Sequence, residues 1–451
     1  MTDGVDAYVD DNQGRFVEEL KQFMRFPSIS AQHARDGDTR ACAEWLKGHL
    51  EGLGLEAELV EMGGQPIVRA CGKGRGSKRV VIYGHYDVQP EDPINQWESP
   101  PFEPTVREGQ IYGRGAVDDK GQLFMHVKAI ESLLKTEGEL PCDVTFLIEG
   151  EEESGGDALA RYVRQARDEL RPDAVIISDT AMFDENTPAV TYALRGIGAF
   201  EFTVRGPKHD IHSGSYGGAV ANPALVLAQI LAACVAPDGR ILIPHFYDDV
   251  APLQEWEHRT MRELEFDARA LARELDVPQL AGEPGYSPLE RLWSRPTFEI
   301  NGIYGGYQGQ RSKTIIPACA TAKISTRLVP NQDPARIRNL IVEHLRSACP
   351  DTARLEISDF ALSPPVVFDV SDPVFQAARE ALRRGFDREA IFIRAGGSIP
   401  VVGTFVEQLG CPVVLMGCGL SSDGLHGPNE HFALSRFVRG TKAAAHLLRL
   451  I

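Results

Sequence analysis

The sequence predicts an α/β protein interrupted by an α+β insertion. Short apolar strand patterns alternate with amphipathic helix patterns at both ends of the chain, the mark of a largely parallel sheet covered by helices. The middle changes to longer segments whose residues alternate between two faces, as in an antiparallel sheet with one side exposed. Histidines and carboxylates recur just after the strand patterns, where open α/β sheets place their ligands.

Taken in order, GRFVEELKQFMRF carries apolar residues at helical spacing and stops at Pro27. TRACAEWLKGHLEGLG is a second helix with a glycine stop. KRVVIYGHYDV reads as a strand running into polar residues, GQLFMHVKAIESLLKTEG as a helix, and CDVTFLIEG and DAVIISD as buried strands. The middle supplies the strands GAFEFTVRG and ATAKISTRLV, with the helices NPALVLAQILAACV and LQEWEHRTMRELEFDARALAREL between them. The helix ARIRNLIVEHLRSA and the strand RLEISDF follow. The α/β style then returns with PVFQAAREALRRGF, EAIFIRAGG, IPVVGTFVEQL and CPVVLMG. The expected domains are 1–191 and 367–451 for the α/β part and 192–366 for the insertion.

With 451 residues the chain is long for a single core. Its formal net charge of -17 repels phosphate backbones and anionic lipid headgroups, so neither nucleic acid nor a membrane is an expected partner. The eight cysteines include no C-x-x-C pair, and the acidic N-terminus has no signal-peptide core. A reducing, cytoplasmic setting is the expectation.

The chemistry gathers at the strand ends. His85 and Asp87 follow RVVIY, the acids of EGEEESGG follow TFLI, Asp179 follows AVII, and His426 lies in the loop after PVVLMG. Asp118 and Asp119 sit in YGRGAVDDKG, just before a helix. Each has an ordinary structural reading: acids suit a helix N-terminus, DD suits a cap and turn, and a lone histidine is often a hydrogen-bonded one. Together, imidazoles and carboxylates form the mixed nitrogen and oxygen set that suits zinc, manganese or cobalt. A divalent cation would also make the clustered ionised acids favourable. The i, i+2 spacing of His85 and Asp87 would let the carboxylate accept the imidazole's second N–H.

GHYDVQP, YGRGAVDDKG, EGEEESGG, SDT and HGPNE resemble, in this order, the motifs of the dinuclear metallopeptidases related to aminoacylases, glutamate carboxypeptidases and succinyl-diaminopimelate desuccinylases. HDIHSGSYGG, STRLVPNQ and AGGSIP resemble the carnosinase-like dipeptidases among them. The resemblance implies a zinc-peptidase-like mixed sheet flanked by helices, with an inserted lid domain that carries homodimer contacts. It implies two divalent ions, Zn2+ first and Mn2+ or Co2+ as alternatives, bridged by Asp118. His85 and Asp179 would complete one site, and Glu153 and His426 the other. Glu152 would be the general base that activates water, and Asp87 the partner of His85. The peptide after Asp118 would be cis. His212 would reach a neighbouring subunit's site, Arg327 would hold a substrate carboxylate, and Thr314, Gly397 and Ser398 would touch substrate.

The activity so implied is metal-dependent hydrolysis of dipeptides or short peptides with a free C-terminal carboxylate. The rivals are a deacylase of N-acetyl or N-succinyl amino acids and a non-enzymatic protein that holds metal for structure. The chain has no G-x-S-x-G, Walker loop or strand-linked G-x-G-x-x-G to support other chemistries.

Overall fold

The computed structural model describes residues 3–451. The chain forms two compact units. The first takes in the chain up to Tyr192, then Phe368–Ile393 and Thr404–Ile451; the second comprises Ala193–Val367 and Arg394–Gly403.

The first unit is built on the strands β1 (Glu56–Val60), β2 (Ile67–Gly72), β3 (Arg79–His85), β4 (Thr105–Arg107), β5 (Gln110–Tyr112), β6 (Asp143–Glu149), β7 (Ala174–Ile177) and β8 (Ala189–Leu194). Its main sheet runs β1-β2-β6-β3-β7, then Val413–Leu415, then β8. β6, β3, β7 and Val413–Leu415 pair parallel. The flanking pairs are antiparallel, so the sheet is mixed rather than largely parallel. The apolar runs VVIY and AVII are buried along their length because neighbours cover both faces of these inner strands.

Helices α1 (Gly4–Met24), α2 (Asp36–Gly52), α3 (Lys120–Glu137) and α4 (Ala158–Leu170) flank the sheet, with Pro373–Phe386 and Leu434–Leu450. α1 begins well before the GRFVEEL pattern because the Asp3 side chain accepts from Val5 N and caps it. α3 is buried from Lys120 to Leu133, so its polar residues need partners inside the protein. Lys128 donates to Glu131 Oε2 at 2.8 Å and also pairs with Glu19. His126 Nε2 meets Ser178 Oγ at 2.7 Å, beside the end of β7.

In the second unit the long strand Gly196–Arg205 pairs antiparallel with Cys319–Leu328, and on its other side with Arg354–Ile357 and Ala361–Ser363. Helices Pro223–Cys234 and Pro334–Ala348 bury Leu227, Ile230, Ile337 and Ile341 against Phe202 and Ile324 of this sheet. The segment LQEWEHRTMRELEFDARALAREL is not one helix. It breaks into Glu255–Glu263 and Ala268–Glu274, because the Asp267 side chain accepts from Arg269 N and Ala270 N and starts a second helix. The edge strand Thr297–Gly305 has a bulge between Ile300 and Gly302 and leaves Ile303 60% and Tyr304 43% exposed.

Phe202 is 1% exposed at the centre of the second unit's core. Phe202→Ala should destabilise the protein by about 3–5 kcal/mol in equilibrium denaturation, the usual cost of emptying a buried aromatic site.

Candidate metal centre

The parallel strands deliver the candidate ligands. His85 is the last residue of β3, in register with Glu149 at the end of β6. Asp179 lies two residues beyond β7. Asp118 ends the loop before α3, and the Asp118–Asp119 peptide is cis. Glu152 and Glu153 lie in the turn between β6 and α4, not in a helical first turn. His426 adopts φ 59° in the loop after Val413–Leu415.

These residues converge. His85 Nε2 lies 3.2 Å from Asp118 Oδ1 and 3.9 Å from Asp179 Oδ2. His426 Nε2 lies 2.9 Å from Asp118 Oδ2 and 3.6 Å from Glu153 Oε2. Two trios result, His85–Asp118–Asp179 and Asp118–Glu153–His426, and within each the ligand atoms lie within 4.8 Å of one another. Asp118 belongs to both, one oxygen toward each histidine.

The donor set fits a pair of divalent cations. His85 Nδ1 lies 3.0 Å from the backbone carbonyl of Asp87, which can only accept. The ring therefore carries a hydrogen on Nδ1 and turns Nε2 toward the carboxylates, where it can offer a lone pair to a cation. That Nε2 is buried with no hydrogen-bond partner. An imidazole nitrogen facing two acids is satisfied by a proton or by a cation shared with them, and the nitrogen and oxygen donors suit the cation.

Asp87 differs in detail from the expected partner. Its backbone carbonyl, not its carboxylate, is nearest to His85; Oδ1 stands 3.4 Å away. β3 ends at His85, so the alternation of a strand no longer directs the side chain of Asp87. The carboxylate accepts instead from Ser30 Oγ at 2.6 Å and Glu153 N at 3.1 Å, tying the glutamate turn to the strand end.

The electrostatics point the same way. Burial, then repulsion from Asp118, pushes Glu153 up to about 8 and Asp179 up to about 7. Burial, then Asp87, pushes Glu149 up to about 8. Contact with Asp118 raises His426 to about 9 against the opposing effect of burial. Burial alone would depress His85, but the Asp118 and Asp87 carboxylates outweigh it and hold the ring well above its ordinary value. Burial also raises Glu152, on which His85, Asp87, Asp118 and His426 all act. The carboxylate of Glu151 packs instead against Gly64 and Gly156.

Two supporting roles escaped the sequence reading although both residues lie in quoted motifs. Glu430, the last residue of HGPNE, is fully buried. It accepts from the backbone N–H groups of Gly115, Val117 and Asp118 at 2.9–3.1 Å and from Arg114 Nη1 at 2.8 Å, holding the whole Asp118 loop. Asp119 Oδ2 accepts from His85 N at 3.2 Å. The loop carrying His426 is pinned by Arg436, which donates to Asp423 from Nη1 and Nη2 at 2.6 Å and to Cys418 O at 2.8 Å. Gly417 permits this loop to pass the Asp179 segment, since a Cβ there would sit 1.8 Å from Thr180 O.

The remaining expected residues lie in the second unit. His212 is exposed and pairs across a short ladder with Ile315. Its Nδ1 accepts from Gly214 N at 3.0 Å, leaving Nε2 as the hydrogen-bearing atom. Thr314 adjoins it, with Ser213 N donating to Thr314 O at 3.0 Å. Arg327 Nη1 donates to Ser398 Oγ at 2.9 Å, and Gly397 is exposed beside it.

The model of peptidase family M20/M25/M40 matches residues 81–450. The chain belongs to this family. As an M20 peptidase it is a metal-dependent hydrolase. Over 99% of its length and 92% of theirs it is 31% identical to the human Beta-Ala-His dipeptidase. It is 32% identical to the Cys-Gly metallodipeptidase dug1 of Schizosaccharomyces pombe, covering 96% of this chain and 95% of that one. The crystal structure of human carnosine dipeptidase 1 superposes with a TM-score of 0.85 at 31% identity, covering 99% and 98% of the two chains. The M20 peptidase contains no helix among the described residues that is long and apolar enough to cross a membrane.

Glu149, Glu153, Asp179 and His426 all bind a proton more tightly in the folded chain than at their ordinary values. The stability they contribute is therefore complete below their unfolded values, roughly 4 to 6.5, and lost as pH rises through their folded ones. Calorimetry of the metal-stripped peptidase should show the melting temperature falling between about pH 5.5 and about pH 8.5, with added Zn2+ restoring more at the upper end. Glu430→Gln should weaken metal binding about 10–100-fold in a chelator competition titration, as loss of a residue that orients a ligand does.

Proposed function

We propose that the protein hydrolyses dipeptides or short peptides bearing a free C-terminal carboxylate. The observation that carries this is the pair of ligand trios sharing Asp118, in a chain related over nearly its full length to dipeptidases. The first unit is the catalytic domain and the second the lid and dimerisation domain.

His85, Asp118 and Asp179 would hold one divalent ion, and Asp118, Glu153 and His426 the other, with zinc preferred and manganese or cobalt accepted by the same donors. Bound there, such ions would lower the pKa of a water and polarise the scissile carbonyl. Glu152 takes the proton of the attacking water on its carboxylate and returns it to the leaving amine nitrogen. Its raised affinity for protons, set first by burial, suits both halves of that cycle. His212 of the other subunit donates from Nε2 to the oxyanion as charge develops there. Arg327 holds the substrate carboxylate, with Thr314, Gly397 and Ser398 around it.

A homodimer through the second unit supplies His212 in trans, and the exposed Ile303 and Tyr304 on the edge strand offer apolar surface for it. The eight unpaired cysteines suit a reducing, cytoplasmic setting.

Glu152→Ala should lower kcat about 10²–10⁴-fold with metal content unchanged on elemental analysis. An unchanged rate would remove Glu152 as the base and favour the metal-holding reading. A panel of dipeptides against N-acetyl and N-succinyl amino acids should show turnover of the dipeptides; turnover of the acylated set alone would mean a deacylase. Mixing Glu152→Ala with His212→Ala subunits should restore part of the activity through hybrid dimers, and proven subunit exchange without rescue would sink the shared site.

A further inference from the structure

The second unit contains a pair of arginines that no acid neutralises. Arg327 lies on the strand Cys319–Leu328, and Arg195 lies between β8 and the strand Gly196–Arg205. Among the described residues neither forms an ion pair; their polar partners are backbone carbonyls and one hydroxyl. Burial, then repulsion from Arg327, brings Arg195 down to about 10, and the weaker attraction of Glu299 does not offset this. Burial also lowers Arg327. Two half-buried like charges cost stability unless an anion joins them.

A single turn joins the two. Arg195 Nε donates to Gly396 O at 2.8 Å, and Nη1 donates to Arg295 O at 3.3 Å. Ser398 Oγ donates its one hydrogen to the Arg195 carbonyl and accepts from Arg327 Nη1 at 2.9 Å. Ser398 is thus a link between the arginines, with its donor already spent on protein. Gly396 keeps the turn open: a Cβ there would stand 2.9 Å from Arg195 Nη2 and 2.7 Å from Leu292 O. Nη2 itself has no hydrogen-bond partner among the described residues.

We propose that Arg195 is the second cation of a two-arginine carboxylate site, seating the Gly396–Ser398 turn against Arg327 and presenting Nη2 to the anion. This deepens the dipeptidase reading and rests on it for the identity of the carboxylate, which is the substrate's C-terminus. Arg327 alone would hold a carboxylate; the pair makes the site demand one, because an uncharged end leaves the repulsion between the guanidiniums in place. Arg195 acts on binding rather than on bond cleavage, so its loss should appear in KM and not in kcat.

The test compares a dipeptide with its C-terminal amide, in the metal-loaded enzyme. Arg195→Met should raise KM for the dipeptide about tenfold or more, the order expected for losing a charge-assisted contact, with kcat within about threefold. The amide should change little, so the preference for a free carboxylate collapses; Arg195→Lys should recover part of it. Ser398→Ala, which keeps both charges and cuts the link, should give a smaller rise in KM. A second arm needs no turnover: glutarate should raise the melting temperature of the wild type more than glutaramide does, and Arg195→Met should lose that difference. If dipeptides are not hydrolysed but the glutarate difference depends on Arg195, the anion site stands and the dipeptidase reading falls. If Arg195→Met folds with the wild-type glutarate response, or keeps the wild-type carboxylate-to-amide ratio, the proposal is overturned. Should that variant fail to fold, Ser398→Ala with wild-type KM and wild-type glutarate response overturns it equally.

Discussion

The carboxylate of Asp118 stands between two imidazoles, and its charge is one that the fold concentrates but cannot cancel alone. Asp179, Glu152 and Glu153 converge on the same place, and burial raises the proton affinity of each. Without a cation the cluster must keep protons; with cations it can release them. Much of the surrounding structure serves to hold Asp118 there. Glu430 gathers four donors around the Asp118 loop, and the buried Arg436–Asp423 pair fixes the loop that brings His426. Breaking either support would leave a buried charge uncompensated, so the scaffold and the site are energetically one object.

The two units gather opposite charge. The first brings acids to the ends of its parallel strands, where they call for divalent cations. The second brings Arg195 and Arg327 together without a neutralising acid, where they call for an anion. A peptide offers a complement to each: an amide carbonyl that a cation polarises, and a terminal carboxylate that paired guanidiniums hold. On the proposed reading the arginines govern the choice of substrate, through the binding of its terminal carboxylate.

Strand ends were the legible part of the sequence. An apolar run that stops at a histidine or acid marks a sheet's ligand rim, and His85, Asp179 and the glutamates were all found this way. The mixed topology was harder to read. β1 and β2 are short and amphipathic, and nothing in EAELV says that it pairs antiparallel at an edge. The helix break at Leu264 was missed because the helical spacing of apolar residues continues through it, while the competing signal is a single capping aspartate. Glu430 was missed for a different reason. Its role lies in backbone donors more than 300 positions away in the chain, at Gly115, Val117 and Asp118, which no local pattern reveals.

The four glutamates of EGEEESGG show how position distinguishes residues of equal chemistry. Glu149, at the end of β6, already accepts from Tyr83 Oη at 2.8 Å. Glu151 packs its carboxylate against Gly64 and Gly156. Glu153 accepts from Gln89 Nε2 at 2.6 Å while its backbone is held by Asp87, the fixed posture of a ligand. Glu152 faces the same charged groups as the ligands; its carbonyl accepts from Gly155 N at 3.0 Å, but its carboxylate accepts no hydrogen bond among the described residues. A group that must take and return a proton in each cycle is best left with its lone pairs uncommitted. By that criterion Glu152 is the acid of this turn suited to be the base.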